Sequence, residues 1–308
     1  MRLFTIIIAI IALSAAILMI TGYLLLSSRD KSVILESSKH FSFNDEDRSY
    51  RISLPEKITD ETAVIIGLHG FGDSSRRFAY YTGLHNVVTK HIVVYPNAIE
   101  PKNRVEVLGW NAGFCCGTGY LNNIDDAGFI MALVDQIQKD YRLKNTDVFA
   151  TGFSNGAFMS QKLAEEYPDR ITAIGLHSGS IGNQDLTADL QKPIPAILLH
   201  GTSDNVVNYS GGEGNYNGFT WKSFAETKSY YESLNNCRGA FTESYSYIGP
   251  SLTSVKDDTM TGYESCDAKL EIHEINGMRH RWVDWRIINP AKHTPQGTQL
   301  IVSFFESI

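Results

Sequence analysis

A serine stands between two glycines in the stretch VFATGFSNGAFMS, residues 148–160. The run Gly152-Phe153-Ser154-Asn155-Gly156 has the pattern G-x-S-x-G, in which a sharp strand-to-helix turn exposes a nucleophilic hydroxyl. A structural turn needs one glycine at most, and a helix cap does not require a second one two residues later. The pattern therefore makes Ser154 a candidate nucleophile. The alternative is a tight turn whose serine only caps the helix.

A serine hydroxyl is a poor nucleophile near neutral pH, so it needs a base and a carboxylate that orients the base. Where this motif occurs, acid and histidine follow the serine in that order, each after a later strand. Asp204 follows the apolar run PAILLH at 195–200, and His280 lies in the loop after the final strand, where His273 alternates as a packed residue. The alternatives are an Asx-turn for Asp204 and a surface role for His280.

Attack on a carbonyl places negative charge on its oxygen, which two preorganised N–H groups must stabilise. The sequence predicts the backbone N–H of Asn155, directly after the nucleophile, as one donor. The backbone N–H of Phe71, in the loop LHGFGD at 68–73, is the second candidate. Gly70 and Gly72 would allow a close approach of the backbone, although an ordinary glycine turn has the same composition.

These residues need a scaffold that brings distant loops together. The apolar patterns predict strands at 50–54, 63–69, 92–95, 147–151, 173–176, 195–200 and 269–275, and helices at 127–141, 155–167, 219–234 and 294–306. Strands alternating with helices indicate an α/β protein with a mainly parallel central sheet and helices on both faces. Ligands bind such sheets at the carboxyl edge, where all three candidate residues would lie.

The N-terminus carries an uncharged run from residue 3 to residue 28. Its length matches a membrane span better than a signal-peptide core, so an uncleaved anchor at 3–26 is favoured over a cleaved signal peptide. Either interpretation implies export, to an extracellular or periplasmic location. The expected organisation is an anchor or signal peptide at 1–28, a polar tether at 29–48 and one catalytic domain at 49–308.

The charge and the cysteines limit the partners. The net charge is −7, and no run of Lys or Arg provides a nucleic-acid surface. Metal-binding spacings are absent, so no metal is predicted. The four cysteines allow three pairings. A Cys237–Cys266 bridge would close a loop worth roughly 3 kcal/mol and is expected, whereas a link between the neighbours Cys115 and Cys116 is doubtful.

Several stretches together resemble the secreted esterase family that includes polyhydroxybutyrate depolymerases, feruloyl esterases and acetylxylan esterases. The resemblance covers about residues 48–285. It rests on LHGFGDS (68–74), GWNAGFCCG (109–117), DDAGF (125–129), TGFSNGA (151–157), HGTSDNVVNY (200–209), ETKSYYESLNNC (226–237) and NGMRHRW (276–282).

The resemblance implies an α/β-hydrolase fold, a triad of Ser154, Asp204 and His280, and no cofactor. A Cys237–Cys266 bridge also has counterparts in the family. The family often has three glycines before the histidine, whereas Met278 and Arg279 stand here.

The function implied is a serine esterase acting on feruloyl or acetyl esters of plant polysaccharide, or on similar short acyl esters. A depolymerase of hydroxyalkanoate oligomers is the alternative within the hydrolases. A non-catalytic, anchored binding protein on the same scaffold is the alternative of another class. Trp110, Asn111 and Trp282 are the expected pocket residues, with loop packing as the other interpretation of the 109–117 stretch. The expected partners are a small-molecule, polysaccharide or polyester substrate, and a membrane through the N-terminal segment only.

Overall fold

The computed structural model of the chain describes residues 35–101, 106–182, 192–213, 218–248, 255–283 and 297–308. The expected anchor at 1–28 and the first residues of the tether lie outside this part. Within the described residues, no helix has both the length and the apolar character needed to cross a membrane.

Twelve strands of the described chain are numbered in sequence order. They are β1 (Lys39–Phe43), β2 (Glu46–Ser53), β3 (Val64–Leu68), β4 (Ile92–Pro96), β5 (Val148–Phe153), β6 (Ala173–His177), β7 (Ala196–Gly201), β8 (Gly212–Glu213), β9 (Thr220–Trp221), β10 (Arg238–Ile248), β11 (Val255–Ser265) and β12 (Leu270–Ile275). Ten of them form one sheet in the order β1-β2-β4-β3-β5-β6-β7-β12-β11-β10, while β8 and β9 pair separately.

The centre of the sheet is parallel. Strands β4, β3, β5, β6, β7 and β12 pair in parallel with their neighbours, and antiparallel pairs extend the sheet at both edges. The predicted central strands are therefore confirmed. The last residues of neighbouring strands are level, with Phe153 opposite His177 and Gly201 opposite Ile275. The loops that follow these strands consequently emerge side by side.

Helices cover both faces of the sheet, as predicted. They are α1 (Ser75–Thr82), α2 (Leu84–Val87), α3 (Gly117–Leu121), α4 (Asp126–Asp140), α5 (Asn155–Glu166), α6 (Phe224–Leu234) and α7 (Gly297–Phe305). Side chains alternate across a strand, so Val64 and Ile66 of β3 face a core with α4, α5 and α6, whereas Ile65 faces a core with α1, α2 and α7. The apolar run of β3 thus reflects burial on both sides.

The structure corrects the predicted polar tether at 29–48. Its described part includes β1 and the first residues of β2, which form an antiparallel hairpin at the sheet edge. Phe41 and Phe43 pack on Phe129 of α4, with ring centroids 6.3 and 6.2 Å apart. The polar composition of this stretch arises because an edge hairpin alternates aromatic residues facing the protein with polar residues facing solvent.

The helix predicted at 219–234 begins later, at Phe224. Ser223 caps it: the Ser223 hydroxyl accepts from the backbone N–H of Glu226, and the Glu226 carboxylate accepts from the backbone N–H of Ser223. This reciprocal capping box satisfies two backbone donors and sets the first turn. The residues before it contribute β9 instead of helix.

The structure contains two disulfides. Cys237 and Cys266 are bonded at 2.07 Å and join the base of the β10–β11 hairpin, as expected. Contrary to expectation, Cys115 is bonded to Cys116, across a cis peptide. Because Cys237 and Cys266 pair with each other, Cys115 and Cys116 have only one another as partners, and no cysteine is free.

A buried histidine lies between two carboxylates at one edge of the parallel centre. This residue is His273 of β12. Its Nδ1 lies 2.6 Å from Asp258 Oδ2, and its Nε2 lies 2.8 Å from Glu271 Oε1. Burial opposes the charged ring, but the two carboxylates outweigh it and raise the pKa of His273 to about 9. His273 is therefore a charged structural residue, in agreement with its predicted packing role.

We expect this cluster to stabilise the fold below the pKa of His273 and to lose its effect as the pH rises through about 9. The rise from the ordinary value of 6.5 corresponds to about 3 kcal/mol. The gap in free energy of unfolding between wild type and His273→Gln should therefore shrink by about that amount between pH 6 and pH 10, measured by urea denaturation. A gap that does not change with pH would contradict a charged His273.

Candidate active site

Ser154 occupies the turn between β5 and α5. Its backbone has φ 56° and ψ −120°, in a region that residues other than glycine rarely adopt. The Ser154 N–H donates to the carbonyl of His177, at 3.0 Å, which anchors the turn to β6. Among the described residues, the Ser154 side chain makes no capping hydrogen bond with α5. The turn thus presents the hydroxyl without using it as a helix cap.

The two glycines are required by this turn, as the sequence predicts. A Cβ atom on Gly152 would overlap the carbonyl oxygen of Gly156, and a Cβ on Gly156 would overlap the carbonyl oxygen of Leu68. Both overlaps are with backbone atoms, which cannot move aside as a flexible side chain can. The close approach of β3, β5 and α5 therefore explains the G-x-S-x-G spacing.

Asp204 and His280 are hydrogen-bonded, with Asp204 Oδ2 2.8 Å from His280 Nδ1. They follow β7 and β12, which are neighbours in the sheet. The other carboxylate oxygen, Oδ1, accepts from the backbone N–H groups of Val206 and Val207 at 3.0 and 3.1 Å. One carboxylate oxygen of Asp204 therefore forms an Asx-turn, which was the alternative role considered for this residue. The other oxygen is hydrogen-bonded to the imidazole of His280.

The loop that carries His280 is tied to the loop of Asp204. The backbone N–H of Ser203 donates to the carbonyl of Met278 at 3.0 Å. Met278 is buried and packs with Ile275 and Val283. The bulky side chain thus points into the protein and leaves the His280 ring at the surface of a cavity.

This cavity joins Ser154 and His280. It has a volume of about 220 Å³ and is lined by Gly70, Phe71, Gly72, Asp73, Arg77, Phe153, Ser154, Val206 and His280. The His280 ring lies against Phe153, with centroids 4.7 Å apart. The structure therefore brings Ser154, His280 and the predicted donor residue Phe71 to one cavity, with Asp204 bonded to the far side of the imidazole.

Asn155, the other predicted donor residue, is the first residue of α5. Backbone N–H groups in the first turn of a helix have no partner within that helix, so they are suited to an anion. The Asn155 side chain is buried and holds the 109–117 loop: Oδ1 accepts from the N–H of Trp110 at 2.7 Å, and Nδ2 donates to the Trp110 carbonyl at 3.2 Å. This clamp was not predicted.

The predicted pocket residues Trp110, Asn111 and Trp282 do not line this cavity, and the structure corrects them. Trp110 is fully buried and donates from Nε1 to the carbonyl of His69. The Asn111 N–H donates to the buried carboxylate of Asp126. Trp282 stacks on His177 and donates to Thr298. Large aromatic and amide side chains near a site are equally suited to packing, and here packing accounts for all three.

Four further residues line the cavity and were not predicted as site residues: Phe153, Val206, Asp73 and Arg77. The positions of Phe153 and Val206 could be inferred from the sequence, because Phe153 directly precedes Ser154 and Val206 follows Asp204 by two positions. Asp73 and Arg77 form an ion pair with a Nε–Oδ1 distance of 3.4 Å across the start of α1. No helix was predicted there, so their position could not be inferred.

Two further histidines lie behind the site and are kept neutral. Burial lowers the pKa of His177 well below its ordinary value and also lowers the pKa of His200. His177 Nε2 accepts from the backbone N–H of Val283 at 3.0 Å. His200 Nε2 lies 2.9 Å from the carbonyl of Val207, next to the Asp204 carboxylate. Their hydrogen bonds are those of packed residues, which leaves His280 as the histidine that faces the cavity.

Residues 52–236 match the phospholipase/carboxylesterase family. This match covers more than half of the chain, which therefore belongs to that family. The chain is also 28% identical over 181 residues to a probable feruloyl esterase C of Aspergillus clavatus, covering 54% of this chain and 58% of that one. It is 25% identical over 195 residues to a bifunctional acetylxylan esterase/xylanase of Neocallimastix patriciarum, covering 61% of this chain and 27% of that one. The chain thus spans less than two thirds of either relative.

The fold is shared with solved esterase structures. The acetyl xylan esterase from Aspergillus awamori superposes with a TM-score of 0.50 over 80% of this chain and 94% of that chain, at 16% identity. Together with the family match and the parallel sheet, this identifies the α/β-hydrolase fold. The resemblance inferred from the sequence motifs is confirmed.

Proposed function

We propose that the chain is a serine esterase that hydrolyses carboxylic esters through an acyl-enzyme. The observation that carries this proposal is the hydrogen bond between His280 Nδ1 and Asp204 Oδ2, in which the ring N–H donates and the carboxylate accepts, with Ser154 and His280 on the same cavity. Because Asp204 engages Nδ1, the other ring nitrogen, Nε2, is left to accept the proton of the Ser154 hydroxyl.

In the first half of the proposed reaction, Ser154 Oγ forms a bond to the ester carbonyl carbon while His280 takes the hydroxyl proton. The backbone N–H groups of Phe71 and Asn155 stabilise the negative oxygen. The intermediate then expels the alcohol, which receives the proton from His280. In the second half, His280 removes a proton from water, whose oxygen attacks the acyl carbon, and the carboxylic acid leaves as Ser154 regains its proton.

The proposed substrates carry a short acyl group, with acetyl esters of plant polysaccharide favoured over feruloyl esters. The names of the relatives support this class of esters. The cavity volume of about 220 Å³ lies below the range of about 300–1,000 Å³ typical of pockets for larger ligands. Phe71, Phe153 and Val206 provide apolar walls suited to an acyl methyl group.

A panel of p-nitrophenyl esters tests this proposal. We expect acetate to be hydrolysed with a kcat/KM at least tenfold above that of octanoate, because the longer chain exceeds the cavity. Acetylated xylan and methyl ferulate, assayed for released acetate and ferulate, then separate the two polysaccharide ester classes. Preference for octanoate would contradict the assignment to short acyl groups, and hydrolysis of none of the esters would contradict the esterase function.

We also propose that the protein is exported. The uncharged N-terminal run at 3–28 supports this, and two disulfides with no free cysteine are typical of an oxidising compartment. Fractionation of cells that express the full chain tests this proposal, with the protein expected outside the cytoplasm.

A further inference from the structure

His69 lies directly after β3, at the start of the loop that carries Phe71, and it is fully buried. Its ring makes two hydrogen bonds. The backbone N–H of Ala98 lies 3.1 Å from Nε2, and the carbonyl oxygen of Gly70 lies 2.8 Å from Nδ1. Since a backbone N–H can only donate, Nε2 must be the unprotonated nitrogen. The ring proton is therefore on Nδ1 and is donated to the carbonyl of Gly70.

This bond determines the direction of a neighbouring group. In a trans peptide, the C=O of one residue and the N–H of the next are fixed in one plane and point in opposite directions. The carbonyl of Gly70 points toward the buried ring of His69, so the N–H of Phe71 points away from it. Gly70 and Phe71 line the cavity together with Ser154. The N–H of Phe71 is thereby directed to the side where the negative oxygen would form.

We propose that His69 is a positioning residue that holds the Phe71 N–H in place as an oxyanion donor, through its bond to the Gly70 carbonyl. The inference rests on the proposed esterase function. A second bond supports the same orientation, because the N–H of Asp73 also donates to the Gly70 carbonyl, at 3.2 Å. The peptide between Gly70 and Phe71 is therefore held from two directions before any substrate binds.

The surroundings of His69 restrict its ring further. Its carbonyl accepts from Trp110 Nε1 at 2.9 Å, and the two rings lie 4.8 Å apart. Burial lowers the pKa of His69 to about 4, so the ring stays neutral at neutral pH and keeps the tautomer that the two bonds require. Donors fixed in this way need no reorganisation when charge develops in the transition state.

Two substitutions separate positioning from packing. In His69→Asn, the amide nitrogen occupies the place of Nδ1 and can still donate to the Gly70 carbonyl. In His69→Gln, the longer side chain can accept from Ala98 but has no donor at the Nδ1 position. We expect His69→Gln to lower kcat on p-nitrophenyl acetate by about 10- to 100-fold with KM within twofold of wild type, whereas His69→Asn restores kcat to within about threefold.

A transition-state analogue gives the second readout. A trifluoromethyl ketone bound by the serine places a negative oxygen at the donors, so its affinity should fall in His69→Gln by the same factor as kcat. If the wild-type enzyme is active and His69→Gln has the same kcat, the inference is wrong but the proposed function stands. The same holds if both variants lose kcat equally and in proportion to the fall in their melting temperatures. Absence of hydrolysis by wild type overturns the proposed function, and the inference with it.

The tautomer can also be measured in the wild-type protein, with a variant needed only to assign the signal. Nitrogen-15 NMR of histidine-labelled full-length protein should show several imidazoles protonated at Nδ1, and the signal of one of them should be absent in His69→Asn. Protonation of that ring at Nε2 would overturn the inference, because the Gly70 carbonyl would then have no donor from His69.

Discussion

Replacement of Ser154 by alanine should reduce kcat for p-nitrophenyl acetate by at least about 10⁴-fold, because the hydroxyl is the proposed nucleophile. The Ser154 side chain caps no helix in the described structure, so its removal should leave the fold intact. The expected melting temperature is therefore within about 2 °C of wild type, since surface or unbonded groups contribute little to stability. Steady-state kinetics and a thermal melt check both parts.

Ser160 provides a matched control for this substitution. It lies in α5, the helix that follows Ser154, where its hydroxyl is buried and donates to the carbonyl of Gly156 at 2.9 Å. Ser160→Ala removes a serine hydroxyl six positions further along the chain, outside the cavity, and should keep kcat within about threefold of wild type. Full activity in Ser154→Ala would show that another residue performs the chemistry, and the proposed mechanism would then be wrong.

Replacement of Asp204 by asparagine should lower kcat by about 10⁴-fold, because it reverses the tautomer of His280. The asparagine oxygen is expected to keep the two bonds from Val206 and Val207, which turns its NH₂ group toward His280 Nδ1. Nδ1 then becomes an acceptor and the ring proton moves to Nε2. A protonated Nε2 cannot accept the proton of Ser154.

The measurement is kcat for p-nitrophenyl acetate between pH 6 and pH 9, and we expect Asp204→Asn to be impaired at each pH. Asp125→Asn serves as the control, because Asp125 caps α4 through a bond from the Gly128 N–H and asparagine caps helices equally well. It should leave kcat unchanged within about twofold. A small loss in Asp204→Asn, similar to that of the control, would contradict the role of Asp204.

The parallel core of the fold could be predicted because its sequence signals are local. Strands such as β3 and β7 are unbroken apolar runs, and the periodicity of α4 and α5 is helical. The candidate triad followed from the same signals, since residues placed after parallel strands must lie at one edge of the sheet. The structure brings Ser154, Asp204 and His280 to that edge, and their catalytic roles are the proposal that the substitutions described above would test.

The edges of the sheet could not be predicted in the same way. The β10–β11 hairpin has a largely polar sequence, in which β10 is mostly exposed while Asp258 and Thr261 of β11 are buried, so its pattern offers no continuous apolar run. The tether was misassigned for the same reason. In both cases pairing partners distant along the chain determine the structure, and these are not visible in local composition.

The aromatic residues near the site illustrate a second limit. Trp110 and Trp282 were expected in the pocket because large aromatic side chains suit both ligand contact and packing. Only the folded structure shows that their indole N–H groups are directed to His69 and Thr298 inside the protein. Likewise, the bond from His69 to Gly70 depends on Ala98, which lies after the next strand of the sheet.

Labelling with a fluorophosphonate probe, followed by mass spectrometry of the intact protein and its peptides, tests the central claim most directly. A serine activated by His280 and Asp204 should react covalently, giving one adduct per chain located on Ser154. Ser154→Ala should carry no adduct, and Asp204→Asn should react far more slowly. An adduct on a different residue, or an enzyme that hydrolyses esters yet is neither labelled nor inhibited, would contradict the account.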